Sequence, residues 1–338
     1  MKKLVGIGDL FIPCEYIENG MKPLEQHGFA VSTVEWKLSG FDELQHINLI
    51  VEQGGREEIE IPKEIMDAVK DADILITQFF PVGKVLIDAC PHLKMIGVLR
   101  AGYENVNAEY AKEKGVKVFH AMGRNAHAVS DFTVGAMICE ARNIARGHYG
   151  IKTGQWIREY PNSASIPDLG GKTVGIIGYG EIGRLVAKKL SGFDVNILAY
   201  DPYYHGSDVK TVTLEELMMH CDFITVHARL TPENEHMINA DMLARMKPTA
   251  YLINTSRSGL IDEQALWEVL HNHRIAGAFL DVFDHEPPAL DDPLVQLDNV
   301  TLTPHMAGGS KDAFYNTPKL LASALTEYLE GKHTRFLI

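Results

Sequence analysis

The sequence predicts an α/β protein of two domains, each built on a parallel sheet. Three observations predict it. Residues from about 1 to 117 alternate short apolar runs with helical patterns. A second such series opens at Lys172 and contains six strand candidates separated by helices. At its start the apolar run Val174–Ile177 leads directly into Gly178, Gly180 and Gly183, the spacing of a strand that turns tightly into a helix.

The bulk numbers fit that class. A chain of 338 residues is long enough for two ordinary domains. It is 46% hydrophobic and 23% charged, as globular proteins are. A net charge of −13 argues against nucleic acid or an anionic membrane surface as partner. The N-terminus, Met1–Gly8, reads as a first strand rather than a targeting segment, and no apolar run has the length of a membrane span, so a cytoplasmic location is expected. Cys14, Cys90, Cys139 and Cys221 show no paired spacing. Free thiols in a reducing compartment are expected, and no metal site.

In the first series, Ile74–Thr77 and Met95–Leu99 are buried strands by their apolar runs, and 63–70 and 108–114 have helical spacing. From Asn125 to Tyr149 apolar and small residues recur at intervals of three and four, which predicts one long helix. Trp156–Pro167, with two prolines and several serines, reads as a connection or arm. The strands of the second series are expected at Thr173–Ile177, Val195–Tyr200, Phe223–Val226, Ala250–Ile253, Gly277–Leu280 and Val300–Thr303. Residues from Lys311 onward read as a helix and tail, too short for a domain alone, that return to the first domain.

The glycines have separate physical tasks. Gly178 permits the tight turn, Gly180 lets the backbone approach a pyrophosphate, and Gly183 lets helix and strand pack closely. The helix N-terminus then offers free N–H groups and the positive end of its dipole to phosphates. Eighteen residues beyond Gly183, a strand candidate ends in Asp201, placed to accept from a ribose 2′-hydroxyl and to repel a 2′-phosphate. Dinucleotide binding follows, with NAD preferred over NADP.

Three polar elements stand at the ends of late strands: Asn254–Gly259 with Arg257, Asp281–Pro288 with Glu286, and Thr303–Gly309 with His305. Ligands of open α/β sheets bind outside the carboxyl ends of the strands, so these residues converge on the nicotinamide end of the cofactor. An Arg, a Glu and a His there point to hydride transfer at a hydroxyl-bearing carbon next to a carboxylate. Histidine exchanges the proton near neutral pH, a carboxylate orients it, and arginine grips the substrate carboxylate.

With these motifs the chain resembles the D-isomer-specific 2-hydroxyacid dehydrogenases, from about Asp73 to the C-terminus. The segments are Gly178–Gly183 with Asp201, Leu230–Asn234, Met246–Pro248 running into Asn254–Asp262, Asp281–Pro287 and Pro304–Gly309. The intervals of 29 residues from Arg257 to Glu286 and 19 from Glu286 to His305 fit the family's arrangement. The resemblance implies an NAD-dependent oxidoreductase acting on the CH–OH of a small 2-hydroxy acid, with Arg257, Glu286 and His305 catalytic. It implies two Rossmann-like or flavodoxin-like domains with the active site in the cleft between them. Residues 1–117 plus 307–338 are then the substrate domain, and 118–306 the NAD-binding domain. It implies cofactor contacts at Gly178, Gly180, Glu181, Ile182, Gly183, Asp201, Thr255, Ser256, Arg257, Asp281, His305 and Gly308, with Asp281 on the nicotinamide amide. It implies a homodimer paired through the nucleotide domains and arms such as Trp156–Pro167. The substrate loop corresponds to Arg100, Ala101, Gly102 and Tyr103, with Arg257 opposite. Arg100 stands where a small residue is usual, and Arg229 where Pro or a small residue is.

Other readings stay open. Taken singly, His305 is a structural histidine, Glu286 a loop residue, Arg257 a strand-end partner and Asp201 the start of an Asp-Pro turn. Arg100 is equally a partner for a nearby carboxylate or a substrate contact. A corepressor-like NAD(H) sensor with little turnover shares this fold, as do phosphite and formate dehydrogenases. The use of Gln rather than Glu beside the His in formate dehydrogenase speaks against that relative.

Overall fold

The computed structural model describes all residues, 1–338, and the chain divides into two compact units, 1–125 with 310–338, and 126–309. The first unit carries a five-stranded parallel sheet. Its strands are β1 (Lys2–Gly8), β2 (Phe29–Glu35), β3 (Ile74–Thr77), β4 (Met95–Val98) and β5 (Lys117–His120), in the order β2-β1-β3-β4-β5. That is a flavodoxin-like order. β3 and β4 are buried at every residue, as the interior strands of a sheet covered on both faces must be. One face packs under the helix Lys311–Leu329, whose Leu321 and Leu325 are fully buried, and the tail bridges β5 through Leu337. The expected boundary after residue 117 falls inside β5. All four residues of β5 pair with β4, so the division lies at 125/126 instead.

The second unit is a seven-stranded parallel sheet. It comprises β6 (Thr173–Ile177), β7 (Asn196–Tyr200), β8 (Lys210–Thr211), β9 (Phe223–Val226), β10 (Tyr251–Asn254), β11 (Gly277–Leu280) and β12 (Val300–Leu302). The order is β12-β11-β10-β9-β6-β7-β8. Renumbered from β6, this is the doubly wound 3-2-1-4-5-6 order with one strand added. The sheet reverses direction of growth between β6 and β9, which is where a ligand crevice forms. β8, an exposed two-residue edge, was not expected.

The single helix expected from Asn125 to Tyr149 is two, Ala126–Ala141 and Ile144–Lys152. Asn143 breaks it, in the left-handed region at φ 55, which Asn tolerates better than most residues. Tertiary partners hold the break. Asn143 donates to Asn162 at 2.7 Å and accepts from Arg146 at 3.2 Å, while Arg146 pairs at 2.9 Å with Glu140, itself 1% exposed. Burial pushes the Glu140 carboxyl up, against the pull of Arg146 and Thr301. Trp156–Pro167 carries no helix or strand, and Asn162 anchors it by donating to the Ala141 carbonyl and the Tyr251 hydroxyl.

Candidate active site

The glycine turn behaves as its sequence requires. Gly178 has φ 89, and a Cβ there would lie 2.5 Å from the Ala228 amide at the end of β9. Around Gly180 a Cβ would meet nothing within 4 Å, so the backbone is open to an approaching group. A Cβ on Gly183 would collide with the Gly178 carbonyl. Gly180 caps the ten-residue helix Glu181–Leu190, whose N-terminus carries the positive end of the helix dipole. Ile182 follows on the first turn. Asp201, at the end of β7, accepts from the Tyr179 amide at 2.8 Å and the Tyr203 amide at 2.9 Å. Its carboxylate is thereby aimed at the glycine loop. Held space at Gly180, a helix N-terminus and an acidic strand end together fit a dinucleotide.

At the other half of the sheet, β10, β11 and β12 are consecutive neighbours, with Asn254 opposite Leu280 and Leu280 opposite Leu302. Arg257 and His305 each lie three residues past those register positions, on strands about 10 Å apart at ~4.8 Å per strand. The turn bearing Arg257 is knotted by buried Asn254, which accepts from the Ser256 amide and hydroxyl and donates to the Arg257 carbonyl. The Arg257 guanidinium is exposed, touches only the Ser256 carbonyl, at 2.7 Å, and has no carboxylate in ion-pair range. Thr255 is buried, its hydroxyl 2.9 Å from that of Thr133.

His305 and Glu286 meet: Nδ1 is 2.8 Å from Oε2, and the side chains are 47% and 39% exposed. The other Glu286 oxygen accepts from the Phe283 amide at 3.2 Å. His305 itself has φ 48. Asp281 braces its loop. That carboxylate is fully buried and accepts from the Thr303 hydroxyl and from the amides of Met306 and Ala307. Three hydrogen bonds from the histidine's own loop thus reach the Asp281 oxygens. Gly308 closes that loop. Asn254 and Thr303 were missed as positioning residues; the signal was their fixed place before Arg257 and His305.

The 100–103 loop belongs to the first unit. The backbone amides of Arg100, Ala101, Gly102 and Tyr103 donate to no protein acceptor, which leaves a run of donors at the carboxyl end of β4. Of the two readings of Arg100, the ion pair is observed. It lies 3.4 Å from Glu104 and 3.6 Å from Glu52, and donates to Asn48 at 3.1 Å. Arg229 is exposed, and its carbonyl accepts from Asn234. No group of three His, Cys, Asp or Glu side chains is placed to hold a metal ion.

Residues 134–307 match the model of the D-isomer specific 2-hydroxyacid dehydrogenase NAD binding domain. A glyoxylate reductase of Thermofilum pendens is 38% identical over 80% of this chain and 82% of its own length. A hydroxypyruvate reductase of Thermotoga maritima is 36% identical over 76% and 87%. A D-3-phosphoglycerate dehydrogenase of Methanocaldococcus jannaschii is 36% identical over 84% of this chain but 55% of its own, so the chain spans about half of that relative. Among solved structures, a Thermus thermophilus protein is 27% identical with TM-score 0.71, covering 99% of both chains. The NAD-complexed D-isomer specific 2-hydroxyacid dehydrogenase of Lactobacillus delbrueckii shares the fold at TM-score 0.78 and 21% identity, covering 100% of both.

Proposed function

We propose, from the premise that this chain belongs to the D-isomer-specific 2-hydroxyacid dehydrogenase family and binds NAD, that it interconverts a D-2-hydroxy acid and its 2-keto acid, with His305 moving the proton. The His305–Glu286 hydrogen bond beside the strand that leads to Arg257 carries the reading. With Nδ1–H donating to Glu286, Nε2 is left to exchange a proton with the substrate oxygen. Glu286 fixes the ring and its tautomer and offsets the charge that the ring carries while it holds that proton. Arg257, without a carboxylate of its own, grips the substrate carboxylate as a charge-assisted fork. Within the first unit, the unengaged amides of 100–103 are a run of neutral donors suited to a carboxylate. NAD, when bound, supplies the hydride transfer.

The first unit is then the substrate domain and the second the cofactor domain. The relatives' names favour a small 2-keto acid such as glyoxylate or hydroxypyruvate. Residues 144–166 carry exposed Ile144, Tyr149, Ile151, Trp156, Ile157 and Ile166, an apolar concentration that supports a homodimer. A cytoplasmic location agrees with the free cysteines.

The test is NADH oxidation at 340 nm with a panel of 2-keto acids, followed by chiral analysis of the product. Turnover that yields the D-hydroxy acid, and that falls by two orders of magnitude or more in His305→Asn, is expected. Tight NADH binding with no panel member reduced would overturn this function in favour of a sensor.

A further inference from the structure

We propose that Glu263 is a positioning residue for the proton relay: it ties the loop that bears Glu286 to the helix that follows the Arg257 turn, and it acts through Glu286. The inference rests on the reading above and adds a residue to the same site, all of it within the second unit.

The loop from Val282 to Pro288 has few ties. No amide or carbonyl of these residues bonds to another backbone group. Two consecutive amides hold the loop instead. That of Phe283 donates to Glu286 Oε1 at 3.2 Å, inside the loop, and that of Asp284 donates to Glu263 Oε2 at 3.2 Å. The bond to Glu263 is therefore the one hydrogen bond that the backbone of this loop makes to another element. From there the path to the chemistry is short. Glu263 holds Asp284, the adjacent Phe283 amide holds Glu286, and Glu286 meets His305 Nδ1 at 2.8 Å. A shift of the loop is passed to the imidazole through these contacts, and a misplacement of about 1 Å at a reacting group is felt in rate.

Glu263 stands where it can join the two sides. It opens the helix Glu263–His271, soon after the short turn Ser258–Leu260 that follows Arg257. Asn254, Ser258 and Glu263 line one pocket with Leu280 and Val282, so the knot of the Arg257 turn, the end of β11 and this carboxylate share a wall.

A purely structural role explains less. An acid in the first turn is favoured by the helix dipole, yet this helix is already capped by Asp262, which accepts from the Ala265 amide at 3.0 Å. The site is also a poor one for a carboxylate. Burial pushes the half-buried Glu263 carboxyl up, and the carboxylates of Asp284 and Asp292 add to this, against the Asp284 amide and His285. The donor that answers it is the Asp284 amide, and a desolvated acceptor is costly without one.

The test separates reach from charge. Glu263→Asp keeps a negative charge at the helix start and withdraws the oxygen by the length of a carbon–carbon bond, ~1.5 Å. Glu263→Gln keeps the reach and removes the charge. With NADH and the keto acid that the full chain reduces best, Glu263→Asp should lower kcat about 3- to 10-fold, the loss of one hydrogen bond. Its KM and NADH dissociation constant should change less than about twofold. Glu263→Gln should stay within about twofold of wild type, because its amide oxygen still accepts. In a Glu286→Ala background, Glu263→Asp should cost less than about twofold, since the group it positions is gone. A loss in Glu263→Gln with Glu263→Asp unaffected assigns the residue to the helix dipole and overturns the inference. Equal losses in both, or an undiminished loss in the Glu286→Ala background, overturn it too. If no keto acid is reduced, the dehydrogenase reading fails, and amide hydrogen exchange still decides the inference. Segment 281–288 should then exchange at least about threefold faster in Glu263→Asp than in wild type or Glu263→Gln; equal rates overturn it.

Discussion

Glu286→Gln isolates the carboxylate behind His305 while keeping the shape of the side chain. The amide can still accept from Nδ1–H, so ring orientation survives; what is lost is the charge 2.8 Å from the nitrogen. A hydrogen bond to a charged group contributes about 1.5–3 kcal/mol. The pair is 47% and 39% exposed, so solvent screening lowers the expected loss to about 1–2 kcal/mol. At 1.36 kcal/mol per factor of ten, kcat/KM for keto-acid reduction should fall about 5- to 30-fold. The loss belongs to the step in which the ring carries the proton, so kcat should fall with it and the NADH dissociation constant should not move. Steady-state kinetics at 340 nm with fluorescence titration of NADH measure both. A variant within twofold of wild type would refute the role of the carboxylate. A variant that instead lost NADH affinity would place Glu286 in cofactor binding.

Arg146→Ala strands the buried Glu140 carboxylate, and should cost about 3–5 kcal/mol, seen as a melting temperature lower by about 6–20 °C; the Glu140→Gln/Arg146→Met double variant should lose less. His227 sits at the end of β9 with Nδ1 sealed and unpartnered, and burial pushes it down to about 3. The unfolded chain binds its proton near pH 6.5 and the folded chain does not, so its contribution is complete above about pH 6.5 and is lost as pH falls toward 3. Urea unfolding should show wild type losing about 2 kcal/mol more than His227→Gln between pH 8 and pH 5. Cys90 and Cys221 are buried, with thiols pushed up to about 11 and about 12. In native protein at pH 8 neither should react with Ellman's reagent, whereas urea should expose all four thiols.

What the sequence revealed follows from burial. β3, β9 and β11 are buried at every position, so they read as unbroken apolar runs. β2 is a half-exposed edge strand and β8 has two exposed residues, and neither leaves such a run. The break at Asn143 was invisible because its cause is tertiary: Asn162 lies 19 residues away, and local periodicity continues through it. Glu286 and His305 were legible because each lies within a few residues of a strand's carboxyl end. The partners of Arg100 were not, since Asn48 comes from 52 residues upstream. The brace formed by Asp281 was hidden for a related reason: the amides of Met306 and Ala307 that it holds lie 25 and 26 residues further along the chain.

That brace has an evolutionary consequence. Glu286 is clipped to the Phe283 amide and His305 rides on a loop clamped to Asp281, so both inherit their coordinates from strand β11. The mostly exposed stretch 287–298 between them, apart from buried Leu294, makes none of the hydrogen bonds that hold Glu286 and His305. Its exposed positions 289–291, held by none of those bonds, are where length can vary at least cost to the Glu286–His305 pair.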